Sequence, residues 1–127
     1  MIDFYHKIKE GKKLNVLGNG KQNKSYIHIF DCINAMDISY RFFRKKINII
    51  NIGNNYSITV KQSLKHIQRI LKSKIKPIFQ NKKRGWIGDN PFILLSTKKL
   101  RTSGWRPKYS IKESITDTLE YLKKNNK

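Results

Sequence analysis

Residues 47 to 52 read Ile47-Asn48-Ile49-Ile50-Asn51-Ile52, a β-branched run closed by Gly53-Asn54-Asn55. That is the pattern of a strand covered on both faces, as in a parallel sheet flanked by helices. Such a strand needs partners, because its backbone N–H and C=O groups must be bonded once they leave water. The following residues fit an α/β alternation. Thr59-Val60-Lys61-Gln62 is a capping box that opens a helix with Val60, Leu64, Ile67 and Leu71 on one side. Ile75 to Phe79 then reads as an edge strand, since Pro77 cannot donate to a ladder.

On the N-terminal side, Ile2 to Glu10 reads as the end of a helix closed by Gly11. Leu14 to Leu17 reads as a short strand that ends in Gly18-Asn19-Gly20. Tyr26 to Ile29 is a second short strand. Asp31 then caps a helix whose apolar stripe, Ile33, Met36, Tyr40 and Phe43, is expected to be buried. Towards the C-terminus, Ser96 caps a short helix ended by Gly104, Trp105 folds back onto Leu100, and Pro107 stops continuation. Ser110-Ile111-Lys112-Glu113 is a second capping box. It starts a terminal helix with Ile111, Ile115, Leu119 and Leu122 inward, and the Lys/Asn-rich tail beyond is expected to fray. With neither a repeat nor a clear linker, residues 1–127 read as a single unit.

Charge narrows the partners more than the fold. The 28 Lys+Arg against 8 Asp+Glu give a formal charge of +20, a field that attracts nucleic acid, phospholipid headgroups or nucleotide phosphates. The basic residues are mostly Lys, spread along the chain with abundant Ile and Asn, so A/T-rich codon drift is a rival explanation. Arg41-Phe42-Phe43-Arg44-Lys45-Lys46 is the best local candidate for nucleic acid. Because Phe43 belongs to the apolar stripe, a solvated helix end is the preferred reading and nucleic acid is not the expected partner. The single Cys32 excludes an internal disulfide, and His6, His28 and His66 are far apart without other ligands at metal spacing. A reduced, metal-free, cytoplasmic protein is expected. No apolar run approaches the roughly 20 residues of a membrane span, so no membrane partner is expected.

Few motifs carry chemistry. Gly18-Asn19-Gly20 follows a strand, but Asn23 stands at the third glycine position of a dinucleotide turn and a strand follows where a helix should. Tyr5 and Lys9 have the spacing that brings a phenol beside an ammonium, yet any helix places i and i+4 side by side and no companion Ser/Thr precedes them. Neither is taken as a site, and no catalytic residue is assigned. Asp31, Glu113, Asp117 and Glu120 sit where caps and exposed helix faces are expected. Arg84-Gly85-Trp86-Ile87-Gly88-Asp89-Asn90-Pro91 is different: it combines glycines for close approach, a Trp for stacking, an Arg for bidentate phosphate contact and a carboxylate for sugar hydroxyls. That set suits a sugar diphosphate. A plain surface loop with an Arg–Asp pair is the alternative.

Four ordered segments resemble the C-terminal half of the extended short-chain dehydrogenase/reductases, the NAD-dependent epimerase/dehydratase family. Residues 14–31 resemble its strand, Gly-x-Gly turn, Gln-x-Arg-Asp-aromatic segment and Asp-capped helix. Asn51-Ile52-Gly53 resembles the Tyr-Asn-Ile-Gly that ends a late strand of the nucleotide-binding sheet. Arg84 to Asp89 resembles the Arg-containing Gly-Asp loop, and Gly104-Trp105-Arg106-Pro107 the Gly-Trp-x-Pro before the last helix. The resemblance implies a truncated α/β fold, the substrate-binding portion of a Rossmann-type enzyme. It also implies a nucleotide sugar, UDP- or dTDP-linked, as ligand. Lys24 stands where the family has a phosphate-binding Arg, Arg84 where a second Arg grips the diphosphate, and Asp89 where a carboxylate contacts ribose or sugar. Val16 would lie beside the base and Asn55 near the nucleotide. Lys24 departs from the usual Arg, replacing a planar donor by a point charge, and Ser25 from the usual Asp. The family's NAD turn and its catalytic Tyr-x-x-x-Lys precede the matching region. The chain alone is therefore expected to hold no cofactor and to be inactive without a separately encoded N-terminal half. A basic nucleic-acid-binding module and an inactive gene remnant stay open as alternatives.

Overall fold

The computed structural model describes residues 1–90 and 92–125. Pro91 and the last two residues of the expected frayed tail lie outside that range. Helix α1 (Ile2–Lys9) leads into strand β1 (Leu14–Val16), then β2 (Asn23–Lys24) and helix α2 (Ile29–Phe42). Strand β3 (Ile58–Thr59), helix α3 (Val60–Ile70), strand β4 (Pro77–Phe79), the single turn α4 (Lys98–Arg101) and helix α5 (Ile111–Asn125) follow. β1 and β4 pair in parallel, Leu14 opposite Pro77 and Val16 opposite Phe79. β2 and β3 pair antiparallel, Lys24 opposite Ile58.

Both capping boxes form. Thr59 Oγ1 accepts from the Gln62 N–H while Gln62 Oε1 accepts from the Thr59 N–H, and Ser110 exchanges the same pair of bonds with Glu113. Each aims an amphipathic helix at one core, where Leu64 and Ile67 of α3 meet Ile111, Ile115 and Leu119 of α5, Tyr5 and Ile8 of α1, and Leu14 and Val16 of β1. Tyr5 is thus a core residue, only 1% exposed. Gly11 closes α1 in the left-handed region, with φ of 64°. A second, smaller core joins Ala35 of α2 to Leu100 and Trp105, so Trp105 does fold back onto Leu100.

Five expectations are overturned. Residues 47–52 form no strand; Ile50 and Ile52 lean on the Leu100–Trp105 core, while Ile47 and Ile49 are 78% and 83% exposed. The described residues offer no neighbouring strand on either side, so the ladder that the β-branched run calls for is not made. The α2 stripe is likewise mostly uncovered: Ile33, Met36 and Tyr40 face solvent, Phe43 alone of the four packs on the Ala35–Leu100–Trp105 core, and the buried residues of this helix are Asp31 and Ala35. Finally, residues 26–28 are not strand, and His28 rather than Asp31 caps α2, its Nδ1 accepting from the Phe30 N–H. Asp31 is one turn further in. It accepts from the backbone N–H groups of Lys108 and Tyr109 and so ties α2 to the entry of α5. The short α4 is entered from Thr97 rather than Ser96, without a side-chain cap. No helix among the described residues is long and apolar enough to cross a membrane.

Candidate functional site

The parallel pairing of β1 with β4 sets the site. Past the ladder, Gln80 donates its N–H to the Gly18 carbonyl and Asn19 donates to the Lys82 carbonyl, so the chain after β4 runs along the Gly18–Gly20 turn. The turn is filled from within. A Cβ on Gly18 would stand 1.9 Å from Gln22 Nε2, and one on Gly20 would stand 2.5 Å from the Phe79 ring; both glycines have positive φ. Their open space is occupied by this chain's own side chains and does not form a cradle for a pyrophosphate, so these residues do not fit an NAD turn.

Residues 84–89 then fold back over the end of β1. Gly85 lies so close that a Cβ would touch Asp89 Oδ2 at 3.2 Å and Leu17 Cβ at 3.4 Å. Asp89, 9% exposed, closes the loop: Oδ2 accepts the Gly85 N–H at 3.0 Å and Oδ1 accepts from Lys24 Nζ at 2.5 Å. Lys24 also donates to the Asn90 carbonyl. The Lys24 ammonium first, and then the Gly85 N–H, hold the Asp89 carboxyl below the usual carboxylate range, against the burial that would raise it. Arg84 is exposed beside them and adds to the positive field on Asp89. Trp86 is 65% exposed, its ring packed over Gly88. Two cations and a carboxylate therefore meet at one edge, with the exposed Trp86 on the same loop. An anionic ligand there can take bonds from Lys24 and Arg84 and replace Asp89 as the partner of the ammonium.

The structure gathers Lys24, Arg84 and Asp89, which are far apart in sequence. Val16 is at the same end of β1, but its side chain is 1% exposed and belongs to the core. Asn55 is engaged elsewhere, its Oδ1 accepting from Thr97 Oγ1 at 2.9 Å. Two further residues matter. Gln22, 3% exposed, donates from Nε2 to the Leu17 carbonyl and braces the turn under the loop. Asn54, 2% exposed, donates to the Tyr26 carbonyl and lines a cavity of about 290 Å³ with Lys24, Ser25, Gly53 and Leu95. Gln22 lies within the segment that resembles the family; nothing in the spacing separates Asn54 from Asn55. Among the described residues no group of His, Cys, Asp or Glu is placed to hold a metal ion.

Residues 1–53 match the NAD dependent epimerase/dehydratase family. The human dTDP-D-glucose 4,6-dehydratase is 25% identical over 126 residues, covering 96% of this chain and 36% of its own length. Among solved structures, the UDP-glucose 4-epimerase of Thermotoga maritima, determined with UDP-glucose, superposes with a TM-score of 0.84 at 24% identity, over 98% of this chain and 39% of the epimerase. The dTDP-glucose 4,6-dehydratase of Bacillus anthracis, in complex with NAD, gives 0.82 at 23% identity, over 97% of this chain and 38% of the dehydratase. The chain thus has the fold of a portion of the Rossmann-type nucleotide-sugar epimerases and dehydratases, and spans little more than a third of these relatives.

Proposed function

We propose that this chain is the nucleotide-sugar-binding part of a nucleotide-sugar epimerase or dehydratase, taking a UDP- or dTDP-linked sugar. The observation that carries this reading is the meeting of Lys24, Arg84 and Asp89 at one edge of the β1–β4 pair, from segments about sixty residues apart. Lys24 and Arg84 bind the diphosphate, and Asp89, released from Lys24, accepts from ribose or sugar hydroxyls. The base lies along the end of β1 near Val16, with Asn55 at the outer margin. The described residues of this portion bind and orient. NAD, in the intact enzyme, supplies hydride transfer from the rest of the fold. That remainder, whether on the same or a separate polypeptide, covers the exposed face of α2 and the edge at residues 47–52.

Isothermal titration with UDP-glucose and with dTDP-glucose tests the reading. Lys24→Ala and Arg84→Ala should each weaken binding by about 10-fold, which is roughly 1.4 kcal/mol. Lys24→Arg should tighten it, since a planar guanidinium grips a diphosphate bidentately. Equal affinity in the parent chain and both alanine variants would show that the ligand sits elsewhere, and absence of binding by the parent chain would end the proposal.

A further inference from the structure

A larger cavity, about 520 Å³, lies between α3 and the start of α5, and it shares no lining residue with the cavity at Lys24. Its two walls are pinned by His66, whose Nε2 stands 3.2 Å from the Lys112 carbonyl. A carbonyl can only accept, so Nε2 carries the hydrogen. Ile58 and the buried Ile111 give the groove an apolar floor, and Tyr56, about half exposed, flanks it. The rim is cationic. Lys65 and Arg69 are one turn apart on α3, about 6 Å along the axis, and Lys112 faces them from α5. No carboxylate lines the groove, and none of these three cations is in an ion pair among the described residues. Gln62 adds donors only, because its Oε1 is committed to Thr59.

We propose that this groove is a second ligand site, for a nucleoside phosphate unit. An apolar floor beside an aromatic ring suits the flat face of a base, and three converging cations suit the phosphate. The volume is in the range of roughly 300–1,000 Å³ that encloses a small molecule. A net charge of +20 raises the local concentration of any such anion. A free nucleotide and one unit of a single strand present the same chemistry.

The test is titration of the 127-residue chain with AMP at fixed salt, followed by heteronuclear NMR. AMP should shift the amide signals of residues 56–69 and 110–112. The pair Lys65→Glu and Arg69→Glu, both at exposed positions, should weaken AMP by about 10-fold or more, while Lys24→Ala leaves it within about 2-fold. Tyr56→Leu, which changes no charge, should weaken it as well and serves if the double variant fails to fold. Failure of AMP to bind, loss of binding in Lys24→Ala, or unchanged affinity in both groove variants would each overturn the proposal. Competition by an oligothymidylate separates the sources: steep salt dependence with tighter binding marks a strand, and tighter binding of the free mononucleotide marks a metabolite. Displacement of AMP from the groove amides by the oligothymidylate places the strand in the groove, and a strand that binds without displacing AMP sits elsewhere on the basic surface.

Discussion

At the scale of single residues, the Lys24–Asp89 pair would couple ligand binding at the proposed site to protonation. The folded pKa of Asp89 is depressed, so its contribution to stability is fully present above the unfolded value, near 3.9, and is lost as pH falls through the lower folded value. Lys24→Ala should move the Asp89 midpoint upward, towards the ordinary carboxylate range, in an NMR titration of the side-chain carboxyl. Asp89→Asn should remove its share of the acid-side loss of stability. Because Lys24 is the first cause of the shift, an unchanged Asp89 midpoint in Lys24→Ala would contradict the contact. The same pair explains how Lys24, which replaces the usual Arg of the resembling family, is held in place: a flexible ammonium is fixed by a buried carboxylate and the Asn90 carbonyl.

At the scale of elements, the two capping boxes and the helices they open were legible from sequence, because capping is local and the 3.6-residue apolar period of α3 and α5 meets a real core. Thr59→Ala should cost about 1 kcal/mol by removing one box. Leu64→Ala, in the core at 1% exposure, should cost about 2–5 kcal/mol, both read by urea unfolding. Helix α2 behaves differently. Its period is equally clear, yet Ile33, Met36 and Tyr40 are exposed while Asp31 and Ala35 are buried. The side of α2 that faces inward is chosen by the bonds of Asp31 to the α5 entry, a contact between residues some eighty positions apart that no local pattern displays.

At the scale of the whole molecule, exposed apolar groups concentrate on α2, residues 47–49 and residues 92–95. An apolar surface of that extent drives association. The 127-residue chain is therefore expected to self-associate with rising concentration and to unfold below about 60 °C. Ile33→Lys with Tyr40→Lys should shift sedimentation towards the monomer with little loss of stability, since surface changes cost within about 0.5 kcal/mol. A sharp, monomeric transition above that temperature in the parent chain would refute the expectation. The high positive charge opposes association at low salt, so added salt should promote it.

What the amino-acid order determined by itself is local and periodic: the helix starts at Thr59 and Ser110, the buried faces of α3 and α5, the turn of Gly18 and Gly20, and the set of residue types in the 84–89 loop. Whether the β-branched run at 47–52 becomes a strand, which face of α2 is covered, and that Lys24 meets Asp89 while Asn55 turns to Thr97 were decided only in three dimensions. Strand pairing and ion pairing across sixty residues depend on partners whose positions the chain's local propensities do not encode.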